Sequence, residues 1–79
     1  MPITQWEEPI RINTPVSGYQ IVKSPFAALI ILLDEWPDLR GPAYVRARST
    51  CRAAIAGRTT PEEAREKFLC AAREAELYH

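Results

Sequence analysis

Ile10 and Ile12 alternate with Arg11 and Asn13, the period of two that a half-buried strand requires. Thr14, Pro15, Val16, Ser17 and Gly18 follow with turn chemistry: proline fixes one φ and glycine tolerates a positive one. Beyond the turn, Tyr19 and Ile21 alternate with Gln20 and Val22, so the segment reads as a β-hairpin. Two strands alone are marginal in water, and the hairpin must lie on something apolar.

The pattern turns helical at Ser24 and Pro25, a capping serine followed by proline at the first helical position. Pro37 disfavours helical geometry in the residue before it, so this helix is expected to run to about Trp36. Steps of about 100° per residue place Phe26, Leu29, Ile30, Leu33 and Trp36 on one stripe, which Leu32 and Ala28 widen to roughly 200°. Ile31 falls on the opposite side with Ala27, Asp34 and Glu35. So wide an apolar arc is expected either to pack on two sides or to meet a partner.

Gly41 and Pro42 open a second helix by the same logic, with Tyr44, Ala47, Cys51, Ala54 and Ile55 as its buried stripe and Gly57 as a left-handed cap. Thr60, Pro61, Glu62 and Glu63 form a capping box, in which Thr60 caps the Glu63 amide and the Glu63 carboxylate returns to the Thr60 amide. The third helix then runs from Pro61 toward Glu76 and buries Ala64, Phe68, Ala71, Ala72 and Ala75. The many alanines permit a close approach of the second and third helices. The order is ββααα, an α+β fold in which an N-terminal two-stranded antiparallel hairpin packs on three helices within one domain, residues 1–79.

Length narrows the function. A chain of 79 residues has a thin core and no room for a doubly wound nucleotide domain or a large enclosed active site. Its formal charge is zero, which argues against a strongly basic nucleic-acid partner but not against a local patch. Charge is unevenly placed: residues 1–38 are net negative, 39–60 hold Arg40, Arg46, Arg48, Arg52 and Arg58 with no acid, and 61–79 are net negative again. Cys51 and Cys70 lie inside helical patterns without CxxC spacing and read as small apolar residues of a reducing cytosol, although a bridge between them is geometrically open. Met1 to Glu8 lacks the basic-then-apolar order of a signal peptide, and the run Phe26 to Leu33 falls far short of the ~20 residues that span a bilayer. A cytoplasmic protein with no membrane partner is expected.

The run Trp36, Pro37, Asp38, Leu39, Arg40, Gly41, Pro42, Ala43, Tyr44 resembles the central motif of a bacterial domain-of-unknown-function family, numbered 982. Ala47 and Cys51, Ala54 and Gly57, then Ala64, Arg65, Phe68, Ala71 and Ala72 fit the same pattern, as do Trp6, Pro9, Ser24 and Pro25, so the resemblance covers nearly the whole chain. One departure is Glu76, near where the family's last helix often ends in a glycine. The resemblance implies a small α+β fold in a stand-alone bacterial protein and implies no activity.

Catalytic groups are sparse. The single histidine is His79, the final residue, so histidine-based triads and zinc sites are not expected, and three scattered glycines make no phosphate loop. Asp34, Glu35 and Asp38 around Trp36 suit a solvated helix end better than a carboxylate pair. No enzyme, cofactor or metal site is expected.

Three surfaces compete as interaction sites. Trp36, Arg40 and Tyr44 flank a tight connection and either form an aromatic, cationic pocket or fill the core between the first two helices. Arg46, Arg48 and Arg52 on the second helix either contact phosphates, or pair with Glu62, Glu63 and Glu66 or are simply solvated. Ile31 and Leu32, the surplus apolar arc, either mediate self-association or are covered by the hairpin and the other helices. The leading expectation is a non-enzymatic interaction or regulatory module that forms a homodimer or binds another protein. The alternative is weak nucleic-acid binding through the basic second helix.

Overall fold

The computed structural model describes residues 5–15, 17–36 and 41–78, and its element order is ββααα. Strand β1 (Ile10–Thr14) pairs antiparallel with β2 (Gly18–Val22) in the register Ile10 with Val22 through Thr14 with Gly18. Thr14 ties the turn: its Oγ1 accepts from the Ser17 amide at 3.1 Å and donates to the Gly18 carbonyl at 3.3 Å. Gly18 sits at φ 72°, the left-handed region its missing Cβ permits. Ile10, Ile12 and Val22 point into the core, while Arg11, Asn13, Tyr19 and Ile21 share the solvent face.

Helix α1 (Pro25–Asp34) starts as its cap predicts, the Ser24 side chain accepting from the Ala27 amide at 3.1 Å. It stops two residues before Trp36, which leaves the helix and turns back into the core. Helix α2 (Pro42–Ile55) and helix α3 (Pro61–Glu74) share the most extensive helix–helix contact. Tyr44, Ala47, Cys51 and Ala54 face Ala64, Phe68, Ala71 and Ala72 in one core, and the small side chains let the two axes come close. Ile55, expected inside, is exposed, because α2 ends there in a cap. The Thr60 hydroxyl accepts from the Glu63 amide at 3.1 Å, but the return bond from the Thr60 amide to the Glu63 carboxylate is not formed.

Phe68 is the hub. Its ring lies 6.0 Å from Trp6 and 5.7 Å from Trp36, and Trp36 lies 6.0 Å from Tyr44, so four rings run through the core in an edge-tilted chain. Trp6 closes the N-terminal segment over the helices: its Nε1 donates to the Pro61 carbonyl at 2.8 Å, and its amide donates to the Lys23 carbonyl at 2.7 Å. At the other end the chain after α3 returns to the sheet. Asn13 donates its amide to the Leu77 carbonyl at 3.0 Å, and Tyr78 bridges opposite Ile12. Strand β1 is thereby flanked on both sides, and the long-range pairing locks the hairpin to the C-terminus.

Candidate functional site

The residues singled out from the sequence as an apolar surface are core. Ile31 and Leu32 are buried, Ile31 among the residues least expected to be so. The face of α1 departs from the wheel expectation: Ala28 and Leu32 turn inward as the widened arc allowed, Ile31 joins them with Pro25 although it was placed on the opposite side, and Phe26, Ile30 and Leu33 turn out. Apart from Asp34 the helix has no polar position to orient it, so its neighbours decide which side is buried. Trp36, which anchored the expected stripe, is not on the helix at all.

Trp36 and Tyr44 likewise belong to the core. Both are buried, and the Tyr44 hydroxyl donates to the Leu32 carbonyl at 2.8 Å, a bond that pins α1 to α2. The Trp36 Nε1 is buried without a hydrogen-bond acceptor among the described residues. Arg40 lies outside the described residues.

The second-helix arginines do not share a face. Arg48 and Arg52, one turn apart, fall about 40° apart around α2, whereas Arg46 lies more than about 100° from either. Arg48 stacks over the Tyr44 ring, its Cζ 5.6 Å from the centroid. Of the two alternatives to phosphate contact, pairing of these arginines with Glu62, Glu63 and Glu66 is not seen among the described residues, whereas Arg46 and Arg52 stand in solvent; an acid–base contact among the described residues is Arg65 with Glu8, 3.8 Å apart.

Two surfaces carry unspent chemistry. On α1, Phe26, Ile30 and Leu33 are 60%, 43% and 45% exposed and repeat at the 4–3 spacing of a coiled-coil seam. Lys23 precedes this stripe and Asp34 closes it, both exposed. On the open side of the sheet a trough runs between the hairpin, α3 and the C-terminal segment. One part of it, about 510 Å³, is lined by Arg11, Lys23, Arg65, Glu8, Ile21 and Tyr78. Arg11 continues it into a second groove of about 350 Å³ beside Asn13 and Tyr19. Arg65 and Glu8 continue it the other way, into a groove that Glu7 and Glu62 make acidic. Sequence reasoning missed this trough. Its cations come from β1, the end of β2 and α3, and only the odd parity shared by Arg11, Tyr19, Ile21 and Lys23 hinted that they would stand on one face.

The two thiols differ sharply. Cys51 is buried between α2 and α3, and burial pushes its pKa up to about 12. Cys70 is exposed, and both are free. Among the described residues no helix is long and apolar enough to cross a membrane, and no three His, Cys, Asp or Glu side chains are grouped to hold a metal ion.

The geometry has a close counterpart. The NMR structure of Agrobacterium tumefaciens protein Atu1219 superposes with a TM-score of 0.77 at 30% identity, over 100% of this chain and 86% of that one. No curated protein matches the chain. A family model described as "Protein of unknown function (DUF982)" matches residues 8–78, and the chain belongs to that family.

Proposed function

We propose that this chain is a non-enzymatic interaction module of the bacterial cytoplasm that self-associates through the outer face of α1. The observation that carries the reading is the exposed row Phe26, Ile30 and Leu33, three large apolar side chains within about 10 Å of helix. A second copy fits the row better than an unrelated surface does. In a two-fold, antiparallel pairing centred between Leu29 and Ile30, Phe26 of each copy comes opposite Leu33 of the other and Lys23 lies about 3 Å along the axis from Asp34, so the ends of the stripe are complementary to themselves. A thin core gains most from such burial. The free thiols suit a reducing compartment.

The test is solution mass by light scattering at two concentrations, with Ile30→Glu beside the parent. The expected result is a dimer that Ile30→Glu converts to a folded monomer. A parent that stays monomeric at high concentration, or a dimer that Ile30→Glu leaves intact, overturns the reading. Substitution at Ile31 or Leu32 would test only the core.

A further inference from the structure

The geometry points to a second binding surface, which shares only Lys23 with the end of the α1 stripe: the open face of the hairpin is a short site for single-stranded nucleic acid. The chain is neutral as a whole, yet this groove gathers Arg11, Lys23 and Arg65 against Glu8 alone. Arg65 is partly committed, its Nε donating to the Glu8 carbonyl at 2.8 Å. Arg11 and Lys23 form no ion pair among the described residues, and both side chains stand in solvent. They are therefore available to phosphates, which supply most of the affinity in such complexes.

Charge alone would suit any polyanion. The rings narrow the choice. Tyr19, 61% exposed, lines the groove on one side of Arg11, and Tyr78, 37% exposed, lines the groove on the other. Arg73 packs over the Tyr78 ring, its Cζ 5.5 Å from the centroid, and adds a further cation to that end. Flat aromatic platforms interleaved with cations match unstacked bases joined by phosphates, because every base offers a π-face. A duplex keeps its bases stacked away from such rings. Asn13 beside Tyr19 adds an amide able to donate to and accept from a base edge. The acidic groove of Glu7, Glu8 and Glu62 ends the basic stretch just past Arg65, so the footprint is short.

The test is fluorescence anisotropy of the full chain with labelled oligothymidylate and oligouridylate at low salt (about 20 mM), where contacts of this kind are strongest. The expected result is binding that weakens about tenfold or more on a fourfold rise in salt, as two or three phosphate contacts require. Arg11→Glu with Lys23→Glu should weaken it at least tenfold, and Tyr19→Ala, at a side chain that supports no core contact, by roughly fivefold or more. Arg46→Glu with Arg52→Glu on α2 should leave it within about twofold. No binding at low salt overturns the proposal. So does a duplex or a polyglutamate chain bound as tightly, the latter marking an acidic-peptide site. Loss of binding through the α2 variant alone overturns it as well.

Discussion

Helices α3 and α1 read very differently from the same kind of pattern. On α3 the apolar residues Ala64, Phe68, Ala71 and Ala72 fall on one side, and Glu62, Glu63, Arg65, Glu66, Lys67, Arg73 and Glu74 fill most of the rest beside Leu69 and Cys70, so a wheel drawn from the sequence names its buried face correctly. On α1 apolar residues occupy every side, and the wheel places Ala28 and Leu32 correctly but misplaces Phe26, Ile30, Ile31 and Leu33. A helix orients itself by what it must keep in water as much as by what it can bury. Where nothing need stay wet, orientation passes to tertiary partners. Here those are Tyr44, whose hydroxyl grips the Leu32 carbonyl, and Gln20, whose side-chain amide reaches Glu35 at 2.6 Å.

Single truncations break the comparison open. Phe68→Ala removes the hub of the ring chain on the well-read helix and should cost about 3–5 kcal/mol, a large part of the roughly 5–15 kcal/mol that small domains possess. On α1 the contrast is internal. Leu32→Ala should cost about 2–5 kcal/mol, whereas Ile30→Ala should change stability by no more than about 0.5 kcal/mol. Urea titration followed by tryptophan emission, at a concentration low enough to keep the chain monomeric, reads all three. Equal costs at Ile30 and Leu32 would show that α1 has no preferred inner face.

That contrast also marks how far the sequence is legible here. Local chemistry was readable wherever one residue type does one job: Ser24 and Thr60 at helix starts, Pro25, Pro42 and Pro61 in the first turns, Gly57 at a helix end. The α+β order followed from those signals. Contacts between remote segments were not readable. Trp6 caps the core through Pro61, and Leu77 and Tyr78 add themselves to β1, across separations that no periodicity encodes. The basic trough is invisible for the same reason, since Arg11, Lys23 and Arg65 become neighbours only after folding. The basic run in the middle of the chain drew attention instead, and α2 spreads its arginines around the helix.

The helix pair that reads well can be probed through its two thiols, Cys51 by pH and both by labelling. Cys51 in the native state loses its proton only near pH 12, whereas in the unfolded chain it does so near its ordinary 9.0. Above pH 9 the unfolded state binds fewer protons than the native one, so stability must fall as pH rises. The contribution is fully present below pH 9 and lost toward pH 12, at about 1.4 kcal/mol per pH unit. Cys51→Ala should flatten the decline between pH 9 and about 10.5. A thiol reagent at neutral pH should label Cys70 at once and Cys51 only as fast as the chain opens. Equal labelling of the two would mean that the α2–α3 seam is not closed.

The smallest effect is also the most direct comparison of α2 with α3, because both end in the same motif. After α2, Arg58 donates its amide to the Ala53 carbonyl at 2.8 Å and Gly57 to Ala54 at 3.1 Å. After α3, Leu77 donates to Ala72 at 2.8 Å and Glu76 to Arg73 at 3.1 Å, the identical pair of bonds. The residue between must be left-handed, and it is: Gly57 at φ 80° and Glu76 at φ 59°. Glycine occupies that region freely, whereas a residue with a Cβ is strained there by about 1–2 kcal/mol. What holds Glu76 in place is its neighbour, since Leu77 is buried and its carbonyl receives Asn13 from β1. Replacing Glu76 with glycine relieves the strain but loosens the unfolded chain, which returns part of the gain; the net should be a stabilisation of about 0.5–1 kcal/mol. Gly57→Ala imposes on α2 the strain that α3 already bears and should cost about 1 kcal/mol. Opposite signs in thermal melts of Glu76→Gly and Gly57→Ala would establish that the two termini are one motif carrying unequal strain. A loss of stability in Glu76→Gly would show instead that the glutamate side chain, and not the backbone turn, fastens the C-terminus to the sheet.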